Sequence, residues 1–141
     1  MTKEDVSIGG ASRASGIKVP TIRYYEQIGL LPSPPRSGGN RRLFDEADLR
    51  RLRFIRHARE LGFEIGPIRE LLALAGEPDS PCEGADRIAQ SHLADIDHKI
   101  ARLTALRTEV ARMTTCRQSS IGRCRVIEVL GDHGNCVADE H

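Results

Sequence analysis

The sequence predicts a mainly α-helical fold: a winged helix-turn-helix, then a long coiled-coil dimerisation helix, then a C-terminal loop with a short helix. Three observations carry that reading. Two short helical runs are separated by Ser15-Gly16, and the second is stopped by Gly29. A proline-free stretch runs from Cys82 or Glu83 to Met113 with a single glycine, Gly84. Three of the four cysteines, Cys82, Cys116 and Cys124, stand at the two ends of that stretch.

Ser7 is placed to cap a first helix through Ile8, Ala11 and Ala14, and Ser15-Gly16 ends it. Pro20 suits the first turn of a second helix, Thr21–Ile28, because its missing N–H has no helical partner there. Two helices around a tight glycine turn suggest a reader helix offered to a DNA major groove, although plain helical hairpins share the spacing. Leu30-Leu-Pro-Ser-Pro-Pro35 cannot continue a helix. Gly38-Gly39-Asn40, between basic and apolar residues, reads as a hairpin or wing, with a solvated loop as the plainer alternative. Asp45 and Asp48 have the spacing of a capping box for a helix that runs to Leu61 and stops at Gly62. Ile65–Ala75 is a further helix, ended by Gly76.

Charge placement suggests the partner. The net charge is +1, yet residues 1–72 carry +4 and residues 73–141 carry −3. Within Arg36–Arg59 there are eight basic against three acidic side chains. A polyanion suits that half, and some arginines between 50 and 59 are candidates for its backbone. No window reaches the eighteen or so apolar residues of a membrane span. Glu4 and Asp5 stand where a signal peptide needs an apolar core, so the cytoplasm is the expected compartment. Phosphate-loop and dinucleotide fingerprints are missing and no catalytic constellation stands out, so no enzyme is expected.

Leu93, Ile96, Ile100, Leu103, Val110 and Met113 follow the alternating three- and four-residue steps of a coiled-coil seam, with Arg107 interrupting. Thirty residues make a rod of about 45 Å. Its stripe calls for a second copy, and the heptad pattern alone does not choose between parallel and antiparallel pairing. The cysteines do. Within one chain Cys82 lies a rod away from Cys116 and Cys124; in an antiparallel homodimer the ends of two rods meet and three thiolates gather. Soft sulfur selects soft or borderline ions: zinc, cadmium, lead, mercury or copper(I). His133 and Cys136 follow the short apolar run Val126–Leu130 and are candidates to close over the ion or bind a second one; a plain tail is the alternative. Three segments result: residues 1–76 for DNA binding, 77–113 for hinge and dimerisation, and 114–141 for the metal-binding loop, short helix and tail.

Several runs together resemble the MerR family of transcription regulators, in its metal-sensing branch. They are Ile8-Gly9, Gly16, Thr21-Ile-Arg-Tyr-Tyr-Glu-Gln-Ile-Gly-Leu-Leu31, Asn40-Arg-Arg-Leu-Phe44, Asp48-Leu-Arg-Arg-Leu-Arg-Phe-Ile55, Arg59-Glu-Leu-Gly-Phe63 and Ile68-Arg-Glu-Leu-Leu72. The resemblance implies a homodimer on double-stranded promoter DNA. Its metal-bound form distorts the promoter so that RNA polymerase engages it, and transcription is activated. It also implies DNA contacts from Arg23 and Tyr24, and a contact or a packing role for the adjacent Tyr25. Arg42 matches a wing arginine that approaches phosphate. Arg41 stands where the family often has an aromatic, which adds a phosphate contact, and Phe44 where it often has Tyr. Cys82 matches the cysteine of sensors of divalent ions, whereas the eight-residue offset of Cys116 and Cys124 resembles the copper(I) branch. The expected ion is therefore a soft or borderline divalent one (cadmium, lead, mercury or zinc). The alternatives are a copper(I)-responsive or a thiol-redox-responsive regulator of the same fold.

Overall fold

A computed structural model of the chain describes residues 5–32, 42–114 and 120–131. The fold is mainly helical. The helices are α1 (Ile8–Ser15), α2 (Val19–Gln27), α3 (Glu46–Glu60), α4 (Ile65–Ala75), α5 (Glu83–Met113) and α6 (Arg125–Gly131), with a 3₁₀ turn at Ile121–Arg123. Residues 1–88 form one compact unit and residues 89–141 a second.

The caps of the first unit follow local chemistry. The Ser7 hydroxyl accepts from Gly10 N at 3.3 Å and opens α1. Asp45 and Asp48 complete a reciprocal capping box: Asp48 N donates to Asp45 Oδ1 at 2.8 Å, and Asp45 N donates to Asp48 Oδ2 at 3.0 Å. Pro20 sits in the first turn of α2. Gly16 and Gly29 close α1 and α2 with φ of 77° each, a left-handed backbone that a Cβ disfavours. Val6 and Phe44 form an antiparallel bridge, their N–H groups donating across it at 2.9 and 2.8 Å. This bridge ties the chain start to the base of the segment expected as a wing. Of the expected wing, residues 36–44, positions 36–41 lie outside the described residues.

One core holds the module together. Ala11 of α1, Ile22 and Tyr25 of α2, Leu49, Leu52, Ile55 and Ala58 of α3, and Ile68 and Leu72 of α4 are buried with Leu30, Leu31 and Phe44. The three-residue steps in α3 and the four-residue step in α4 put these side chains on one helix face. Three arginines then fasten the bracing helices to the ends of the first two and to the chain just after α2. Arg56 Nη1 donates to Ser15 O at 3.0 Å, Arg51 Nε to Leu30 O at 2.8 Å, and Arg69 Nη2 to Ile28 O at 2.8 Å. The carbonyls at a helix C-terminus lack helical donors and carry partial negative charge, so a guanidinium fits there. Arg51 and Arg56, candidates for the DNA backbone by composition, each donate to a carbonyl of the module, with Arg56 still exposed.

α5 spans 31 residues. Leu93, Ile96, Ile100, Leu103 and Val110 of its stripe are exposed in the single chain. Glu109 and Met113, one turn apart in α5, are buried.

A side chain at Gly16 would take up the left-handed conformation and meet the Arg56 guanidinium. Gly16→Ala is expected to destabilise the chain by about 1–2 kcal/mol. Urea denaturation measures this, and an unshifted midpoint would show that the turn tolerates a Cβ.

Candidate nucleic-acid interface and metal site

α2 has two faces. Ile22 and Tyr25 point into the core, while Arg23 and Tyr24 are exposed, Tyr24 by 50%. Neighbouring positions cannot share a face at 100° per residue, so burying Tyr25 turns Tyr24 outward. The two rings stay near each other, with centroids 6.1 Å apart and planes tilted by 49°. Of the two roles expected for Tyr25, the structure places it in packing. Arg13 near the end of α1 and Lys18 before α2 are also exposed, so three cations lie on the α1–α2 segment. The sequence reading did not single out Arg13 and Lys18. Their signal was the absence of acidic side chains from residues 6–25.

Arg42 is not on the surface. Its side chain is 6% exposed, and Nε donates to Glu26 Oε2 of α2 at 2.8 Å. Nη1 meets Asp48 Oδ2 at 3.4 Å and also donates to the Leu43 carbonyl; Nη2 donates to Pro32 O at 3.0 Å. The guanidinium carbon lies 4.1 Å from the Phe44 ring centroid, in cation–π contact. Arg41 lies outside the described residues.

Of the metal candidates, Cys82 is exposed just before α5, in the first unit. Cys124 is half-buried immediately before α6, in the second. Cys116, His133 and Cys136 lie outside the described residues. Among the described residues no three His, Cys, Asp or Glu side chains converge on a metal position. One residue went unnoticed in the sequence. Glu109 is buried in α5 of the second unit, and its Oε2 has no hydrogen-bond partner. A carboxylate beside the seam, next to Val110, looked like an ordinary surface charge; only burial sets it apart.

The pattern of the MerR HTH family regulatory proteins matches residues 6–75, and that of the MerR DNA-binding region matches residues 49–113. The HTH-type transcriptional regulator HmrR of Rhizobium leguminosarum bv. viciae is 39% identical over 128 residues, covering 90% of this chain and 98% of the relative. The chain belongs to the MerR family. Two further MerR proteins bear on the site. The mercuric resistance operon regulatory protein of Serratia marcescens is 37% identical over 121 residues, 86% of this chain and 78% of that protein. The crystal structure of PbrR691 from Ralstonia metallidurans CH34, solved in complex with lead(II), matches with a TM-score of 0.78 at 35% identity. It covers 89% of this chain and 98% of that one. MerR proteins are DNA-binding transcription regulators, and the exposed face of α2 belongs to the matched helix-turn-helix. No helix among the described residues is long and apolar enough to cross a membrane.

Arg23 is exposed and outside the core, so Arg23→Ala should leave thermal stability nearly unchanged. It should weaken operator binding by about 1–3 kcal/mol and relax sequence preference. Fluorescence anisotropy with operator and scrambled duplexes checks both outcomes.

Proposed function

We infer that the chain is a metal-responsive transcription activator acting as an antiparallel homodimer on promoter DNA. The observation that carries this reading is α5: 31 residues of helix with an exposed apolar stripe, set between Cys82 and the Cys116–Cys124 segment. A helix of that length makes a rod of about 45 Å. Antiparallel pairing covers the stripe and brings Cys82 of one copy beside Cys116 and Cys124 of the other.

The donor set suits the proposed ion. Three thiols favour a soft or borderline divalent cation over magnesium or calcium. The unpartnered Glu109 Oε2, in the same unit as Cys124, is a buried negative atom that a nearby cation would relieve. The Serratia relative's role in mercuric resistance and the lead(II) held by PbrR691 support the same class of ion. Cadmium, lead, mercury and zinc are the ions proposed, and His133 and Cys136 are further candidate ligands. When bound, the ion would join thiolates of two chains.

The remaining work falls to the protein. Arg23 and Tyr24 present the reader face of α2 to DNA, Arg41 adds a phosphate contact, and Tyr25 supports the helix from within the core. Two readers at a set separation favour the DNA shape that matches it, and pay back part of the cost of bending by their contacts. Pairing at the Cys82 ends selects between dimer geometries and so between promoter shapes, which RNA polymerase then engages or does not.

Cys124→Ser is expected to abolish metal-dependent transcription while leaving operator affinity within about twofold of wild type. Equal induction by the variant sinks the sensor. A copper(I) reading has one observation in its favour, the eight-residue offset of Cys116 and Cys124. It predicts that Cys82→Ser retains its response, because two thiolates suffice for copper(I).

A further inference from the structure

The Arg42 guanidinium meets four different parts of the DNA-binding module. Nε donates to Glu26 of α2, the helix that carries Arg23 and Tyr24. Nη2 donates to Pro32 O, on the chain just before residues 33–41. Nη1 donates to the carbonyl of Leu43, just after them. The same nitrogen approaches Asp48 Oδ2, which also accepts from Asp45 N in the cap of α3. Phe44, itself bridged to Val6, covers a face of the fork.

We propose that Arg42 is a positioning residue that locks the reader helix to both ends of the 33–41 segment, and that it does not neutralise a DNA phosphate. Three facts favour the lock. The side chains of Arg42, Glu26 and Asp48 are 6%, 17% and 7% exposed, so the cluster is turned from solvent. Four of the five guanidinium N–H groups have named acceptors on the protein. Two carboxylates face one guanidinium, so the cluster offers DNA no net positive charge. Its planar fork meets acceptors on several sides at fixed angles, which a lysine ammonium cannot reproduce. Sequence discrimination needs the reader and its flank held at one relative angle, because base-edge hydrogen bonds weaken steeply with misalignment.

The inference rests on the DNA-binding reading of α2, and its test separates the two. The full-length protein is titrated with operator duplex at several salt concentrations, as wild type, Glu26→Gln, Arg42→Lys, Arg42→Gln and the Glu26→Gln/Arg42→Gln double variant. Wild type that binds no duplex overturns the DNA-binding reading itself. With binding present, Glu26→Gln discriminates most directly. Removing a negative charge beside DNA should tighten binding if only charge matters, whereas losing the lock should weaken operator binding roughly tenfold. Arg42→Lys keeps the charge: a phosphate contact predicts near-wild-type affinity, and the lock predicts a loss similar to that of Glu26→Gln.

The slope of log affinity against log salt is the second readout. Loss of a phosphate contact lowers its magnitude by about 0.9, and loss of the lock leaves it unchanged. The double variant should bind no worse than Arg42→Gln alone, because both changes break one contact. Titrations run below each variant's unfolding midpoint, and the conservative Glu26→Gln and Arg42→Lys changes keep the test informative if Arg42→Gln does not fold. Tighter binding by Glu26→Gln, rescue by Arg42→Lys, or a reduced slope overturns the proposal.

Discussion

Leu93, Ile96, Ile100, Leu103 and Val110 lie on one helix at coiled-coil steps and stand in water in the single chain. Burying a side chain of this kind returns about 1.5–3 kcal/mol. Five of them outweigh what one coiled-coil helix gains from propensity alone, because isolated helices are only marginally stable. The stripe therefore demands a matching surface as long as itself, and a second copy of α5 supplies one by symmetry. In the proposed function, dimerisation, the separation of two DNA readers and the meeting of Cys82 with the partner's thiols would all descend from that demand.

The DNA-binding module depends on a different economy, the division of its cations. Arg56 and Arg69 donate to carbonyls at the ends of the first two helices, and Arg51 to Leu30 O just beyond the second. Arg42 spends four of its donors on its own module. Arg13, Lys18 and Arg23 stay exposed. Of the four donors to the module, Arg42 alone is buried, and Arg56 and Arg69 stay exposed while a nitrogen of each braces the module. A charge count treats the two groups alike, and so the basic excess of residues 36–59 overstates the surface available to a polyanion.

The second unit holds a different tension. Glu109 is buried in α5, off the apolar stripe, and one of its oxygens lacks a partner. Burying a carboxylate costs several kcal/mol unless a donor or cation offsets it. A helix C-terminus, itself partly negative, makes Met113's end of α5 a poor place for an anion. A cation close to that end would ease both.

Helix boundaries were legible because their causes are local. Ser7, Asp45, Asp48, Pro20, Gly16 and Gly29 act within one turn of themselves, so α1 to α3 start and stop within two residues of where these side chains direct. The length of α5 and the stripe along it follow from the missing prolines and the repeated apolar steps. The family was legible too, since the runs around Ile22–Leu31 and Asp48–Ile55 combine core and surface positions in one order. The direction of each arginine was not. Whether a guanidinium meets a carbonyl 41 residues away, as Arg56 meets Ser15, depends on how helices pack, and no neighbour in the sequence reports it. Arg42 and Tyr25 turned inward, and Glu109 proved buried, for the same reason: burial is a property of the assembled surface. Local chemistry, written residue by residue, determined which elements form; only the tertiary structure, where long-range contacts compete for each side chain, decided which charges face outward.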